Sequence, residues 1–121
     1  MTHSGTSGRQ ALAAWLDYLT NERRASPRTV RAYGDNVVAY LNFLERHRGE
    51  TVWLRDLGAI TAAELRAYLA FRRQGENALA PRSLSQSLSS IRAFHRFLDQ
   101  RFDTPNALID LVRGPRVKVG L

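Results

Sequence analysis

Apolar residues recur at helical intervals along most of the chain. Leu12, Trp15, Leu16 and Leu19 stand three and four positions apart, which puts them on one face of a helix that is expected to run to about Arg24. A second helix is punctuated at both ends. Ser26 suits the N-cap, Pro27 suits the first helical position, and Gly49 suits the left-handed turn after Arg48. Its inner face is Tyr33, Val37, Tyr40, Leu41 and Leu44. Residues 50–59 have no helical period, but Val52, Trp53, Leu54 and Leu57 are too apolar for a free loop and predict an ordered connection. The third helix opens with a capping box, Thr61 with Glu64, flanked by the hydrophobic staple Ile60 and Leu65. Leu65, Tyr68 and Leu69 face inward, and Gly75 stops the helix.

A fourth helix begins near Pro81, with Leu84, Leu88, Ile91, Phe94 or His95, and Leu98 on its inner face, and ends before Asp103. A short fifth starts at Thr104 and Pro105, buries Leu108, Leu111 and Val112, and stops at Gly114 and Pro115. No stretch alternates with the period of two that a half-buried strand requires, so the fold class is all-α: four main helices and a short C-terminal one. Residues 1–9, rich in Gly, Ser and Thr, are expected to be a frayed tail. Residues 10–113 form the helical domain, and residues 114–121, basic and without a packing pattern, have the character of the start of an interdomain linker.

Composition narrows the chemistry. With 121 residues, 44% of them hydrophobic, the chain fits one domain with a core. It lacks the roughly 20 consecutive apolar residues that span a bilayer, and its polar start has no secretory character, so a cytoplasmic protein without a membrane role is expected. Cysteine is absent, and His3, His47 and His95 are scattered, so neither a metal nor another cofactor is expected. The net charge of +7 rests on seventeen arginines and the single Lys118. Arginine offers a planar fork of donors matched to phosphate oxygens and to the acceptor edge of guanine, which leans towards nucleic acid. A preference for arginine is equally produced by a genome rich in G and C, so charge alone leaves both readings open.

A catalytic centre needs a nucleophile, a base and a group that stabilises developing charge. None assembles here. Tyr18, Tyr33, Tyr40 and Tyr68 all sit within predicted helices, where core packing accounts for them; the histidines are solitary, and the glycines are dispersed as helix stops. The chain by itself is expected not to be an enzyme.

The outer helix faces are more informative. Around the fourth helix the non-core positions read Arg82, Ser83, Ser85, Gln86, Ser87, Ser89, Ser90, Arg92 and Arg96. Serine is a mediocre helix former, so five between 83 and 90 oppose local propensity, and small side chains let a helix approach a groove closely. Gln86 is suited to adenine and the arginines to guanine or phosphate. Arg28, Thr29 and Arg31 lie at the start of the second helix, beside free N–H groups and the positive end of its dipole, which favours phosphate. Each face also reads as ordinary polar surface, with Arg28 and Arg31 pairing with Asp35.

The stretch LAAWLDYLTNERRASPRTVRAYGDNVVAYLNFL, residues 12–44, resembles the opening of the core-binding domain of Xer-type tyrosine recombinases and phage integrases, through Ser26, Thr29, Tyr33, Asp35, Phe43 and Leu44. RSLSQSLSSIRAFHRFL, residues 82–98, is similar to that family's fourth helix, and Thr104-Pro105-Asn106-Ala107 with Gly114-Pro115-Arg116 to its short helix and linker. The resemblance implies a SAM-like bundle forming half of a clamp on double-stranded DNA, with the catalytic tyrosine in a separate domain that this chain does not match. It assigns DNA contact to Arg28, Thr29 and Arg31 of the second helix and to Arg82, Ser85, Gln86, Ser89 and Arg92 of the fourth. The parent protein would be a site-specific recombinase that cuts and rejoins DNA as a tetramer on paired sites, in the Xer manner of chromosome dimer resolution at cell division. The isolated chain would be a monomer. A competing reading is a helical adaptor whose basic face meets an acidic protein partner.

Overall fold

The computed structural model describes residues 5–115. Five α-helices follow one another, α1 (Gly8–Asn21), α2 (Pro27–Arg48), α3 (Leu54–Gly58), α4 (Ala62–Arg72) and α5 (Pro81–Phe102), and a 3-10 helix (Ala107–Leu111) closes the order. The predicted third and fourth helices are therefore α4 and α5. Among the described residues no strand forms beyond an isolated bridge between Ser7 and Trp53, so the all-α expectation holds.

The capping signals read from the sequence operate as expected. The Ser26 hydroxyl accepts the Thr29 amide at 3.1 Å, and Gly49 adopts φ +73°, a conformation that a Cβ would strain. Thr61 and Glu64 exchange both bonds of their capping box at 3.1 Å. α1 ends three residues earlier than expected: Glu22 and Arg23 both donate to the Tyr18 carbonyl and Ala25 reaches back to Leu19. Arg24 supplies the left-handed residue of that turn, at φ 53°.

Two long helices carry the core. Val37, Tyr40, Leu41 and Leu44 of α2 meet Leu84, Leu88, Ile91, Phe94 and Leu98 of α5, all buried. Trp15 locks α1 onto both, stacked on Tyr33 at 5.8 Å and tilted against Phe94 at 5.4 Å. Tyr33 itself is half-buried. Both Phe94 and His95, alternatives in the pattern, are inside. Arg48 fixes the end of α2, with its guanidinium 2.9 Å from Glu64 on α4 and 3.7 Å from Asp56 on α3.

Three expectations are corrected. The start of the chain is not frayed as far as residue 9: Ser7 and Gln10 form a capping box, Gly8 donates to the Val52 carbonyl at 2.7 Å, and Leu54 donates to Thr6 at 3.1 Å. Gly8 permits this approach, since a Cβ there would lie 3.1 Å from a Leu41 methyl and 3.2 Å from the Val52 oxygen. Residues 1–4 of that tail lie outside the described residues. Within residues 50–59 the ordered connection contains a helix, α3, too short to show a period; the Asp56 carboxylate accepts the Trp53 amide at its start, at 2.8 Å. The predicted fifth helix is a 3-10 helix capped by Asn106. A 3-10 helix repeats every three residues, so Ile109 and Val112 are the buried pair, while Leu108 and Leu111 are 42% and 62% exposed.

Candidate nucleic-acid interface

α2 and α5 are joined where the Asn36 amide donates to the Ser90 hydroxyl at 2.9 Å and Ser90 donates to the Gln86 carbonyl at 3.0 Å. Ser87 and Ser90 are fully buried. This corrects their placement on the outer surface: two of the five serines are small residues that let the helices approach. The remaining ones are exposed or half-buried.

Outward from this contact, α5 presents Arg82, Gln86, Ser89, Ala93, Arg96 and Gln100, spaced alternately four and three residues apart and so aligned along one face. All but the half-buried Ala93 are exposed. The stripe contains no acid, and among the described residues neither Arg82 nor Arg96 is held in an ion pair. Such a face combines forked donors for phosphate or guanine with amides suited to adenine.

Of the eight candidate residues, Arg82, Gln86 and Ser89 lie on this stripe. Thr29, half-buried, lies two turns before Asn36 on the same flank of α2, and its hydroxyl accepts a bond from Ser26 at 3.0 Å. Arg28 is exposed at the first turn. Arg31 is exposed on a different flank, since two residues turn the helix through about 200°; it lines a groove with Leu16 and Thr20 of α1. Asp35 forms no ion pair with Arg28 or Arg31 among the described residues.

Ser85 and Arg92 are directed elsewhere. Ser85 is half-buried beside Gly114, where an added Cβ would lie 3.7 Å from its hydroxyl. Arg92, also half-buried, donates through Nη2 to the Val112 carbonyl, and its buried Nε has no partner. Its geometry is that of a brace for the C-terminal turn. Arg96 and Gln100 join the stripe although the candidate set omits them; the four-and-three spacing from Gln86 was the available signal. Several other arginines are occupied within the fold: Arg9 bonds Glu45 and Asn42, Arg101 bonds Glu22 and covers Tyr18, and Arg72 bonds Tyr68.

The interior beneath this face holds one perturbed histidine. Burial lowers the pKa of His95 to about 4, so the ring is neutral at pH 7. Among the described residues no group of three or more His, Cys, Asp or Glu is placed to hold a metal ion, and no helix is long and apolar enough to cross a membrane.

Comparisons with known proteins agree with this architecture. The chain is 38% identical over 112 residues to the tyrosine recombinase XerC of Bradyrhizobium diazoefficiens, covering 93% of this chain and 34% of that protein. It is 36% identical over 108 residues to the XerC of Nitrobacter winogradskyi, covering 89% and 33%. The chain thus spans about a third of the length of these relatives. Its fold superposes on the crystal structure of the N-terminal domain of a phage integrase/site-specific recombinase from Haloarcula marismortui with a TM-score of 0.72 and 19% identity, over 91% of this chain and 97% of the other. The model of the phage integrase N-terminal SAM-like domain matches residues 12–101, and the chain belongs to that family.

Proposed function

We propose that this chain is the DNA-binding domain of a XerC-like tyrosine recombinase, holding duplex DNA against the joined faces of α2 and α5. The observation that carries the reading is the acid-free stripe of Arg82, Gln86, Ser89, Arg96 and Gln100, set beside Thr29 by the Asn36–Ser90 bond. Arg28 reaches phosphate from the first turn of α2, where the positive end of the helix dipole favours anions. Arg31 serves from the flank, and Ser85 and Arg92 act by shaping the edge next to Val112 and Gly114.

In this reading strand cleavage and rejoining belong to a part of the recombinase that the chain does not contain. The parent works in the cytoplasm as a tetramer on paired sites in chromosome dimer resolution, consistent with the similarity to the XerC proteins. The chain alone is a monomer; of the linker expected at residues 114–121, residues 116–121 lie outside the described residues.

Titration with duplex DNA at several salt concentrations tests the proposal. Each phosphate neutralised contributes about −0.9 to the slope of log K against log salt. Absence of binding at low salt would overturn it.

A further inference from the structure

A second basic feature lies away from the stripe. Arg66 of α4, Arg73 at its C-cap and Arg113, just after the 3-10 helix, converge around a cleft of about 230 Å³ with an apolar floor of Leu69 and Leu84. All three arginines are exposed, no carboxylate lines the cleft, and none of the three forms an ion pair among the described residues. A cavity beside α5 lined by Arg92 and Arg96, by contrast, also has Asp99 and Asp110 in its wall.

The cleft adjoins the proposed DNA face. Gly114 forms part of its wall, and a Cβ on Gly114 would lie 3.2 Å from a Leu88 methyl and 3.7 Å from the Ser85 hydroxyl. The returning chain therefore passes close to α5 and carries Arg113 to the side of Arg66 and Arg73. Three forked cations around one small concavity, with no internal anion, match the charge and the acceptor geometry of a phosphate group.

We infer that the cleft between Arg66, Arg73 and Arg113 grips a backbone phosphate of the bound duplex, beyond the segment contacted by α2 and α5. The inference rests on the DNA-binding reading above and extends it to a helix, α4, that contributes none of the eight candidate residues. The contact is to phosphate alone, so it strengthens binding to every sequence alike and leaves base preference to Gln86 and its neighbours.

The test is the duplex titration repeated with the triple variant Arg66→Gln, Arg73→Gln, Arg113→Gln, and with the corresponding lysine variant. A pair of exposed arginines away from the cleft, Arg46→Gln and Arg55→Gln, serves as the control for lost charge. The glutamine triple is expected to make the salt slope shallower by about 0.9 and to weaken cognate and unrelated duplexes equally. The lysine triple is expected to retain most of that slope, and the control pair to leave it unchanged. An unchanged slope in the glutamine triple, while the parent chain binds DNA, overturns this inference alone; failure of the parent chain to bind overturns both readings. Inorganic phosphate, followed through the arginine Nε resonances, distinguishes a free-anion site: perturbation of these three arginines by phosphate but not by DNA also overturns the assignment.

Discussion

The Tyr40 hydroxyl and Nε2 of His95 lie 2.9 Å apart in the core, tying α2 to α5. Burial raises the Tyr40 pKa, so the phenol keeps its proton, and the pair shares one hydrogen bond whose direction follows the ring tautomer. Nδ1 has no partner. The folded state accordingly resists protonation of this ring down to about pH 4, whereas in the unfolded chain a histidine takes up a proton near pH 6.5. Stability is full above that value and falls as pH drops towards 4, by about 3 kcal/mol in the limit. Urea unfolding at pH 7.5, 6.5 and 5.5 is expected to show a falling midpoint before most carboxylates titrate. His95→Gln should flatten the profile, and a wild-type midpoint independent of pH over this range would contradict the account.

Gln86 and Arg92 are expected to separate binding from folding. Gln86 is exposed, so Gln86→Ala should leave unfolding unchanged and weaken selective DNA binding. Arg92→Ala releases the Val112 carbonyl and should destabilise the fold by about 1–3 kcal/mol, the range for a bond to a charged group. Paired measurements of urea midpoint and DNA affinity decide it; loss of affinity at full stability in Arg92→Ala would return that arginine to the DNA contacts.

The Asn36–Ser90 bond predicts a smaller structural effect with a functional consequence. Asn36→Ala should cost about 1 kcal/mol, near the net value of one hydrogen bond. It removes the contact that aligns Thr29 with the α5 stripe, so DNA affinity should fall although Asn36 need not touch DNA. Chemical-shift changes confined to position 36 and its sequence neighbours would argue against this alignment.

Ser7→Ala removes one half of the α1 capping box and should cost about 1 kcal/mol. Gly8→Ala should cost about 1–3 kcal/mol, because the new methyl meets both a Leu41 methyl and the Val52 carbonyl oxygen. Thermal unfolding of the two variants checks the order, which a truly frayed tail would not produce.

What the sequence made legible follows the range of the forces involved. The α2 and α4 caps and the long inner faces depend on neighbours within four residues, and Ser26, Thr61, Glu64 and Gly49 behave accordingly. Ser7 and Gln10 also carried a capping signal, but their composition concealed it, and the docking of Gly8 onto Val52 spans too many residues to show as a pattern. Leu108 and Leu111 were misplaced because a helix of period 3.6 was assumed where the chain forms one of period three. On the candidate surface, Arg82, Gln86 and Ser89 were readable from the α5 period. Ser87 and Ser90 were not, because serine is apt both for a wet face and for a close helix contact, and only the partner helix decides between them. Arg92 depended on a carbonyl twenty residues away.

The small helix α3 has a consequence out of proportion to its length. Gly8 and Leu54 exchange backbone bonds with Val52 and Thr6 on one side of it, and Asn106 donates to the Leu57 and Ile60 carbonyls on the other, both at 2.9 Å. The start of the first helix and the last turn are thus buckled to one short stretch, residues 52–60, and neither can open while this buckle holds. Hydrogen exchange at Gly8 and Leu54 should then proceed only through global unfolding, making the domain a single cooperative unit rather than a bundle with loose ends.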